Sequence, residues 1–149
     1  MDVKSGTVAP PLRLSRVVDA PRPRVFAAWT KAEEMKRWMA PGDMRVALAT
    51  SDLRAGGAYQ IHMQSPKGLA YRVSGVYREV KPPERIVYTW RWEHERDSPE
   101  MLVTVEFRDR GDRTEIVLTH EGFPNEESRA RHEHGWVGCL ANLMPALHT

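Results

Sequence analysis

The residues of this sequence whose types could best do chemistry are the histidines near its end. They are His120, His132 and His134, with Glu121 beside the first. Imidazole and carboxylate groups are common metal ligands. His132 and His134 are two positions apart, however, so on a helix they would point to different sides. The sequence also contains no HExxH motif and no Cys/His cluster. We therefore expect no metal and no cofactor, and interpret His120 either as a ligand contact or as part of a buried hydrogen-bond network.

Nucleophilic or acid–base catalysis has little support in the sequence. The single cysteine, Cys139, falls inside a predicted helix with no base close to it in the sequence, which favours an inert, buried thiol. Carboxylates such as Glu93 and Glu106 fall at strand ends or on the outward parity, where water solvates them, and no pair suits general acid–base work. We expect no catalytic residues, and a non-enzymatic role is favoured over an enzyme.

Four tryptophans carry most of the information about a binding site: Trp38, Trp90, Trp92 and Trp136. Each of them alone could fill an ordinary core. Together with nearby methionines and a tyrosine they are typical of a small-molecule pocket, because such pockets are lined by apolar and aromatic side chains with few polar groups. We therefore predict that an apolar or aromatic small molecule binds among them. The predicted ligand-binding residues are Trp38, Met63, Tyr71, Trp90, Trp92, Met101, His120, Trp136 and Leu140.

Length and composition are those of an ordinary globular domain. The chain has 149 residues, 41% of them apolar and 28% charged, so we expect a single domain over residues 1–149. The formal charge is +2, from 22 basic and 20 acidic residues without a basic block, which argues against nucleic acid as a partner. No apolar run approaches the roughly 20 residues that cross a bilayer, and no leader pattern begins the sequence. With one cysteine, these features predict a cytoplasmic protein, and they leave a homodimer open.

The elements that must position these side chains begin with a strand and two short helices. Residues 1–10 are small, polar and unpatterned, and predict a loose lead-in. Leu12 to Val18 predicts the first strand. Pro21 and Pro23 suit the first turn of a helix, and a second helical piece is predicted from Lys31 to Met39. Two helices this short would form a plug or lid rather than a bundle.

From Met44 onward, residues alternate with the period of a β-strand. Turn signals such as Gly56-Gly57, Pro82-Pro83 and Gly111-Asp112 separate six such runs, which predicts an antiparallel meander. Gly75, inside one run, indicates a bulge or a close backbone approach. The residues expected to share the inner face are Met44, Val46 and Leu48; Tyr59, Ile61 and Met63; Ile86, Tyr88, Trp90 and Trp92; Met101, Val103, Val105 and Phe107; and Thr114, Ile116, Leu118 and His120.

A long helix is predicted from Asn125 to Leu147, with Asn125 as its N-cap. Its first half, Glu126 to His134, is charged and is expected to face water. Pro145 is expected to weaken regular helix in the final turn. The second half carries an apolar stripe at helical spacing, which consists of Trp136, Val137, Leu140, Leu143, Met144 and Leu147.

The C-terminal helix needs a surface to cover. An antiparallel sheet of this size twists and curls, and so has one concave face. No other predicted element is long enough to cover that face. The predicted fold is therefore α+β: a curved antiparallel sheet of about six or seven strands wrapped around a long C-terminal helix, with two short helices after strand 1.

This order of elements, with the residues that carry it, resembles the SRPBCC (START-like, helix-grip) superfamily. Within it, the sequence is most similar to homologues of the C-terminal domain of the heat-shock-protein-90 ATPase activator. The similarity covers roughly residues 12–147, and the order and spacing of its stretches are specific for fold and family. The stretches are RVVDAPRPRVFAAWT (16–30), WMAPG (38–42), DLRAGGAY (52–59), SGVYREVKPPERIVYTWRW (74–92), VTVEF (103–107), TEIVLTHEGF (114–123) and HGWVGCLANL (134–143).

Members of the superfamily hold apolar or amphipathic small molecules between sheet and helix, so the resemblance implies a lipophilic ligand. It also implies two alternatives: a polyketide cyclase or dehydratase-like enzyme, in which His120 and Tyr71 would be tested first, and a chaperone-interacting module. The eukaryotic co-chaperones add a separate N-terminal domain for which this chain has no room, which weighs against the module. Many relatives carry a second aromatic residue after the tryptophan at 38, whereas this chain has Met39, so the pocket entrance is expected to differ.

Overall fold

The computed structural model describes residues 8–148, so most of the predicted lead-in, residues 1–7, lies outside the described residues. One strand, two short helices, six strands and a long helix follow one another, as predicted. They are β1 (Leu12–Val18), α1 (Arg22–Thr30), α2 (Ala32–Met35), β2 (Arg45–Ser51), β3 (Ala58–Gln64), β4 (Ala70–Lys81), β5 (Arg85–Trp92), β6 (Met101–Arg110), β7 (Arg113–Glu121) and α3 (Glu126–Ala146).

The seven strands form a single antiparallel sheet in the order β1-β7-β6-β5-β4-β3-β2. Strands β2 to β7 form a meander, and β1 pairs with β7, with Leu12 opposite His120. The sheet curls into a half-barrel around α3, which confirms the predicted α+β architecture. The concave side of the sheet is the face that α3 covers, and the site is sought there.

The inward-facing side chains of the strands form most of the core, as the sequence predicts. Ile61 on β3, Val105 on β6 and Leu118 on β7 are all at most 1% exposed. Burying one such aliphatic side chain contributes roughly 1.5–3 kcal/mol to folding. The close approach predicted at Gly75 is confirmed, because a Cβ there would lie 2.0 Å from the carbonyl oxygen of Thr89.

Strand β2 departs from the predicted alternation. Its pairing with β3 shifts register between Val46 and Leu48, so one residue is accommodated without a partner and the following side chains change face. Leu48 is consequently 39% exposed, while Ala49 is buried. The prediction that Leu48 faces inward is wrong for this reason.

The second helix is shorter than predicted. Helix α2 ends at Met35, and turns rather than helix continue to Met39. Trp38 fixes these turns, because its Nε1–H donates to the carbonyl oxygen of Ala28 at 2.8 Å. Its ring also packs edge-on against Trp29, with 4.7 Å between the ring centroids.

Helix α3 begins as predicted, since the Asn125 side chain accepts a hydrogen bond from the backbone N–H of Ser128 at 2.8 Å. The predicted apolar stripe is displaced around the helix. Val137 and Met144 are 41% and 44% exposed, while Cys139 and Ala146 are buried in their place. The reason is geometrical: the helix face that meets the sheet is centred between Trp136, Leu140 and Leu143, and the two exposed residues lie off its edge.

The first half of α3 is only partly exposed, which corrects the prediction that it faces water throughout. Ser128 is buried and His132 is half-buried against the sheet side. Near the other end, Pro145 lies inside the helix. The Leu147 N–H donates to the carbonyl oxygens of Leu143 and Met144, and the His148 N–H donates to that of Pro145. The helix thus ends one residue after the proline.

Candidate functional site

A cavity of about 370 Å³ lies between the concave face of the sheet and the N-terminal half of α3. Its size is within the range of small-molecule sites. Strands β3, β4 and β5 form one wall, α3 forms another, and the segment 39–44 closes one side. The lining residues are Met39, Pro41, Met44, Met63, Tyr71, Trp90, Trp92, His94, Glu95, Arg131, His132, His134, Gly135, Trp136 and Cys139.

Five of the nine sequence-predicted residues line this cavity: Met63, Tyr71, Trp90, Trp92 and Trp136. The strand residues among them point inward because each occupies the inner parity of its strand. Trp90 and Trp92 share one face of β5, and their rings meet at 88° with 5.5 Å between centroids. Trp90 also lies 5.2 Å from Trp136 on α3. The tryptophans therefore form a continuous aromatic wall.

The other four predicted residues lie outside the lining. Trp38 packs among α1 and the turns after α2, as described above. Met101 is 2% exposed beneath Gly122, where a Cβ would lie 3.3 Å from the Cα of Met101. Leu140 is 3% exposed on the part of α3 that packs against the sheet beyond the cavity.

The fourth, His120, lies behind Trp136. Its Nδ1 accepts a hydrogen bond from the Trp136 indole Nε1–H at 3.0 Å. The ring stacks on Phe123 with 4.7 Å between centroids. No described residue pairs with its Nε2. Burial and the nearby His132 hold the pKa of His120 well below its ordinary value, so the imidazole is neutral and supports the aromatic wall from behind.

His132 plays a similar part for Trp92. The Trp92 indole Nε1–H donates to His132 Nε2 at 2.8 Å, and His132 Nδ1 lies 2.7 Å from the carbonyl oxygen of Ser128. Because an indole can only donate, Nε2 must be unprotonated, and Nδ1–H must be the donor to the carbonyl. Burial is the main reason why the pKa of His132 is lowered. With its neutral form favoured, the ring accepts from Trp92 through Nε2.

The polar residues of the lining gather at the mouth. Glu95, Arg131 and His134 are exposed, whereas Met63, Trp90 and Trp136 inside are buried. His94 stands between the two zones, because its Nδ1 accepts from the backbone N–H of Arg72 and its Nε2 lies 3.9 Å from Glu95. An apolar interior with a charged rim is the arrangement expected of a site for a largely apolar molecule.

The segment 39–44 is held against α3. The Asn142 side-chain amide donates to the carbonyl oxygens of Ala40 and Gly42 at 2.8 and 3.2 Å. One turn earlier, Gly138 lies so close that a Cβ there would be 2.8 Å from the Cβ of Pro41. The mouth on this side is thus fixed by contact with helix backbone rather than by a large side chain.

Cys139 lines the cavity as a buried thiol. The residue is 5% exposed, and burial raises the pKa of its thiol to about 12. The thiolate is the reactive form, so this environment disfavours its chemistry. The predicted burial of Cys139 is confirmed, and its lack of reactivity stays a prediction. Over residues 8–148, no three His, Cys, Asp or Glu side chains come together as a metal site would require.

The lining residues that the sequence analysis missed come mainly from two places. Pro41 and Met44 belong to a segment without regular structure, whose path no periodicity reveals. Met39, at the start of the same segment, was expected only to alter the pocket entrance. His132, Gly135 and Cys139 share one helix face with Trp136, at the spacings i, i+3, i+4 and i+7. That spacing was visible in the sequence, but the charged neighbours of His132 indicated a solvent-facing turn instead.

The comparisons with known proteins agree with this architecture. The sequence model of the family described as "Activator of Hsp90 ATPase homolog 1-like protein" matches residues 19–148. No match was found among curated proteins. In the part of the chain that the structure describes, no helix is long and apolar enough to cross a membrane.

Solved structures from several bacteria are similar over nearly the whole chain. A protein from Chromobacterium violaceum is 26% identical, with a TM-score of 0.86 over 93% of this chain and 97% of that one. The AHSA1 protein from Silicibacter pomeroyi is 28% identical, with a TM-score of 0.83 over 93% and 97% of the two chains. A protein from Rhizobium leguminosarum is 27% identical, with a TM-score of 0.76 and 93% of each chain covered.

Proposed function

Because the chain belongs to the family of activator of Hsp90 ATPase homolog 1-like proteins, whose fold commonly binds hydrophobic ligands, we propose that it binds a lipophilic, aromatic small molecule in the cavity beneath α3. The observation that carries this proposal is the aromatic wall of Trp90, Trp92 and Trp136 around a space of about 370 Å³. Aromatic rings that face an open space offer large contact area to a flat ligand.

The hydrogen bonds of the tryptophans in the aromatic wall support the proposal that the buried part of the ligand is apolar. The indole N–H groups of Trp92 and Trp136 are already committed to His132 and His120. The buried Nε1 of Trp90 has no hydrogen-bond partner within residues 8–148, but water-sized groups cannot reach it either. A polar ligand group placed against these three indoles would therefore be desolvated without compensation, at a cost of roughly 1–3 kcal/mol for each group.

Binding is favoured over the cyclase or dehydratase alternative by the positions of the two groups proposed for catalysis. Tyr71 lines the cavity, whereas His120 lies behind Trp136 with its Nδ1 occupied. A general acid or base must reach the proton that it transfers.

The chaperone-interacting role and the cytoplasmic location stay predictions. An assay of chaperone ATPase activity with the purified protein tests the first, and fractionation of the native host tests the second.

Gly135 offers a direct test of binding. It lines the cavity, and a Cβ there would have no heavy atom within 4 Å, so a larger side chain has room to enter. We expect Gly135→Leu to fold and to occupy part of the site. Ala141→Leu is the matched control, because Ala141 is exposed on the same helix and outside the lining.

The assay is intrinsic tryptophan fluorescence during titration with fatty acids, polycyclic aromatics, flavonoids and anilinonaphthalene sulfonate. Since three tryptophans line the cavity, an occupant should change their emission. We expect saturable binding to the unsubstituted protein and to Ala141→Leu, and at least tenfold weaker binding to Gly135→Leu. A flat response to the whole panel, or equal affinity of both variants, would refute binding in this cavity.

A further inference from the structure

We propose that His132 makes the cavity acid-sensitive, so that protonation of His132 releases Trp92 from the wall and expels the ligand. This inference concerns regulation of the site and rests on the proposed binding function. It is carried by two hydrogen bonds in which a neutral imidazole accepts from a wall tryptophan, at 2.8 Å for Trp92 and 3.0 Å for Trp136. Each bond exists only while the accepting nitrogen keeps its lone pair.

The position at which His132 can take up a proton shows which hydrogen bond is lost. In the neutral ring of His132, Nδ1–H faces the Ser128 carbonyl and Nε2 accepts from Trp92. A proton from water can add only at Nε2, where it turns the acceptor into a second donor. Two N–H groups then face each other at a heavy-atom separation of 2.8 Å, so the Trp92 indole must move. The indole edge forms part of the cavity wall, and its displacement changes the shape of the site.

The surroundings of His132 determine how readily that proton is taken up. On α3, the neighbouring Arg131 opposes a second positive charge, whereas the Ser128 carbonyl favours it. From the connection between β5 and β6, the Glu95 carboxylate favours protonation, and His94 lies against the other side of Trp92 at 5.2 Å. The exposed His134 follows two residues later at the mouth.

The face of His132 toward the sheet is occupied by His120 and Phe123, with ring centroids 4.8 and 5.3 Å away. His120 is enclosed further by Trp90 and Trp136, which carry no charge. Two imidazolium rings at this separation would repel each other strongly. His132, which is half-buried at the cavity, therefore takes the first proton, and the resulting charge keeps His120 neutral.

The expected effect on binding follows from linkage. If the ligand binds only the form with neutral His132, its affinity is constant at neutral pH and falls tenfold per pH unit below the midpoint of His132 in the free protein. Burial sets that midpoint below the ordinary histidine value of 6.5. The response should therefore be centred below pH 6.5 and be absent above neutrality.

The variant His132→Gln keeps a hydrogen-bond acceptor for Trp92 but removes the ring that can be protonated. The glutamine oxygen reaches about as far as Nε2 and can accept from Trp92, but it does not titrate in this range. His132→Leu removes the acceptor altogether. His148→Gln is the control, because His148 is exposed at the end of the chain and outside the cavity lining.

The first measurement needs no ligand. In ¹⁵N-labelled protein the chain's five tryptophans give five indole N–H signals, and Trp92→Phe identifies one of them. We expect the Trp92 signal to shift with the same midpoint as the His132 ring, and to lose that response in His132→Gln but not in His148→Gln. A Trp92 signal that ignores His132 titration would overturn the proposal even if the cavity binds ligands.

The second measurement is affinity against pH, with the tightest member of the fluorescence panel. We expect His132→Gln to bind with little pH dependence and His132→Leu to bind at least tenfold more weakly at every pH. If His132→Gln keeps the full acid response, His132 is not the sensor. If no panel member binds while the Trp92 signal titrates as expected, the binding function fails and the coupling between His132 and Trp92 stands.

Discussion

Two glycines on α3 allow the packing of the cavity mouth to be tested by the same substitution at two neighbouring positions. Gly135 and Gly138 both lie inside the helix Glu126–Ala146, where glycine is unfavourable because it loses more backbone freedom on folding than other residues do. Replacement by alanine should recover about 1 kcal/mol at each position on propensity alone. The two positions differ only in what the added methyl group meets.

At Gly135 the new Cβ would have no heavy atom within 4 Å, so the propensity gain should appear in full. At Gly138 it would lie 2.8 Å from the Cβ and 3.2 Å from the Cα of Pro41, and 3.3 Å from the Gly42 nitrogen. These atoms belong to a proline ring and to backbone, which cannot turn aside as a flexible side chain can. Overpacking of this kind costs about 1–3 kcal/mol, so Gly138→Ala should be between neutral and about 2 kcal/mol destabilising.

The assay is urea and thermal unfolding of the unsubstituted chain and the two alanine variants. For a domain of this size, 1 kcal/mol corresponds to a shift of roughly 2–4 °C in Tm. We expect Gly135→Ala to unfold at higher temperature and Gly138→Ala at equal or lower temperature, with a difference of about 1–3 kcal/mol between the pair. Equal stabilisation by both substitutions would show that Pro41 does not press on α3, and the account of the mouth would fail.

Three further predictions test other parts of the structure. Gly75→Ala should prevent folding or destabilise severely, because its Cβ would lie 2.0 Å from a carbonyl oxygen on β5; a folded variant with normal circular dichroism would contradict the register. Cys139 should react with iodoacetamide at pH 8 far more slowly than free cysteine, because burial raises its pKa to about 12, and alkylation should become rapid only in denaturant. The unfolding free energy should be constant above about pH 6.5 and decrease below it, because the folded state holds the pKa of His120 under the ordinary 6.5 and the unfolded chain therefore binds more protons. The slope should not exceed roughly 1.4 kcal/mol per pH unit for this group, and stability that rises on acidification would contradict its buried, neutral state.

The fold could be predicted from the sequence because its signals are local. Alternation with period two locates β3, β6 and β7, and Asn125 marks the start of α3 by a cap that needs only its own next residues. The errors arise where a distant partner decides. The shift at Leu48 depends on the pairing of β2 with β3, and the end of α2 depends on the Trp38 hydrogen bond to α1. Neither interaction has a signature in the segment itself.

The candidate site was only partly predictable for the same reason. Residues such as Met63 and Trp90 follow from strand parity, because every second side chain of a strand faces the same side. Which residues of α3 line the cavity depends on the orientation of the helix about its own axis over the sheet. The charged residues next to His132 in the sequence give no indication that its side chain points inward. The segment that contains Pro41 follows no period at all, so its place at the cavity is a result of tertiary contacts alone.

Whether tryptophans fill a core or surround a cavity depends on where their N–H groups are bound. Trp92 and Trp136 donate to imidazoles that lie behind and beside the wall, so each ring is held by its polar edge. Turning either ring into the empty space would leave a buried N–H without a partner, at a cost of roughly 1–3 kcal/mol. Trp90, whose N–H has no described partner, is instead held between these two rings at 5.5 and 5.2 Å. The cavity therefore persists because its walls are anchored, and an aromatic ligand would meet surfaces that are already in position.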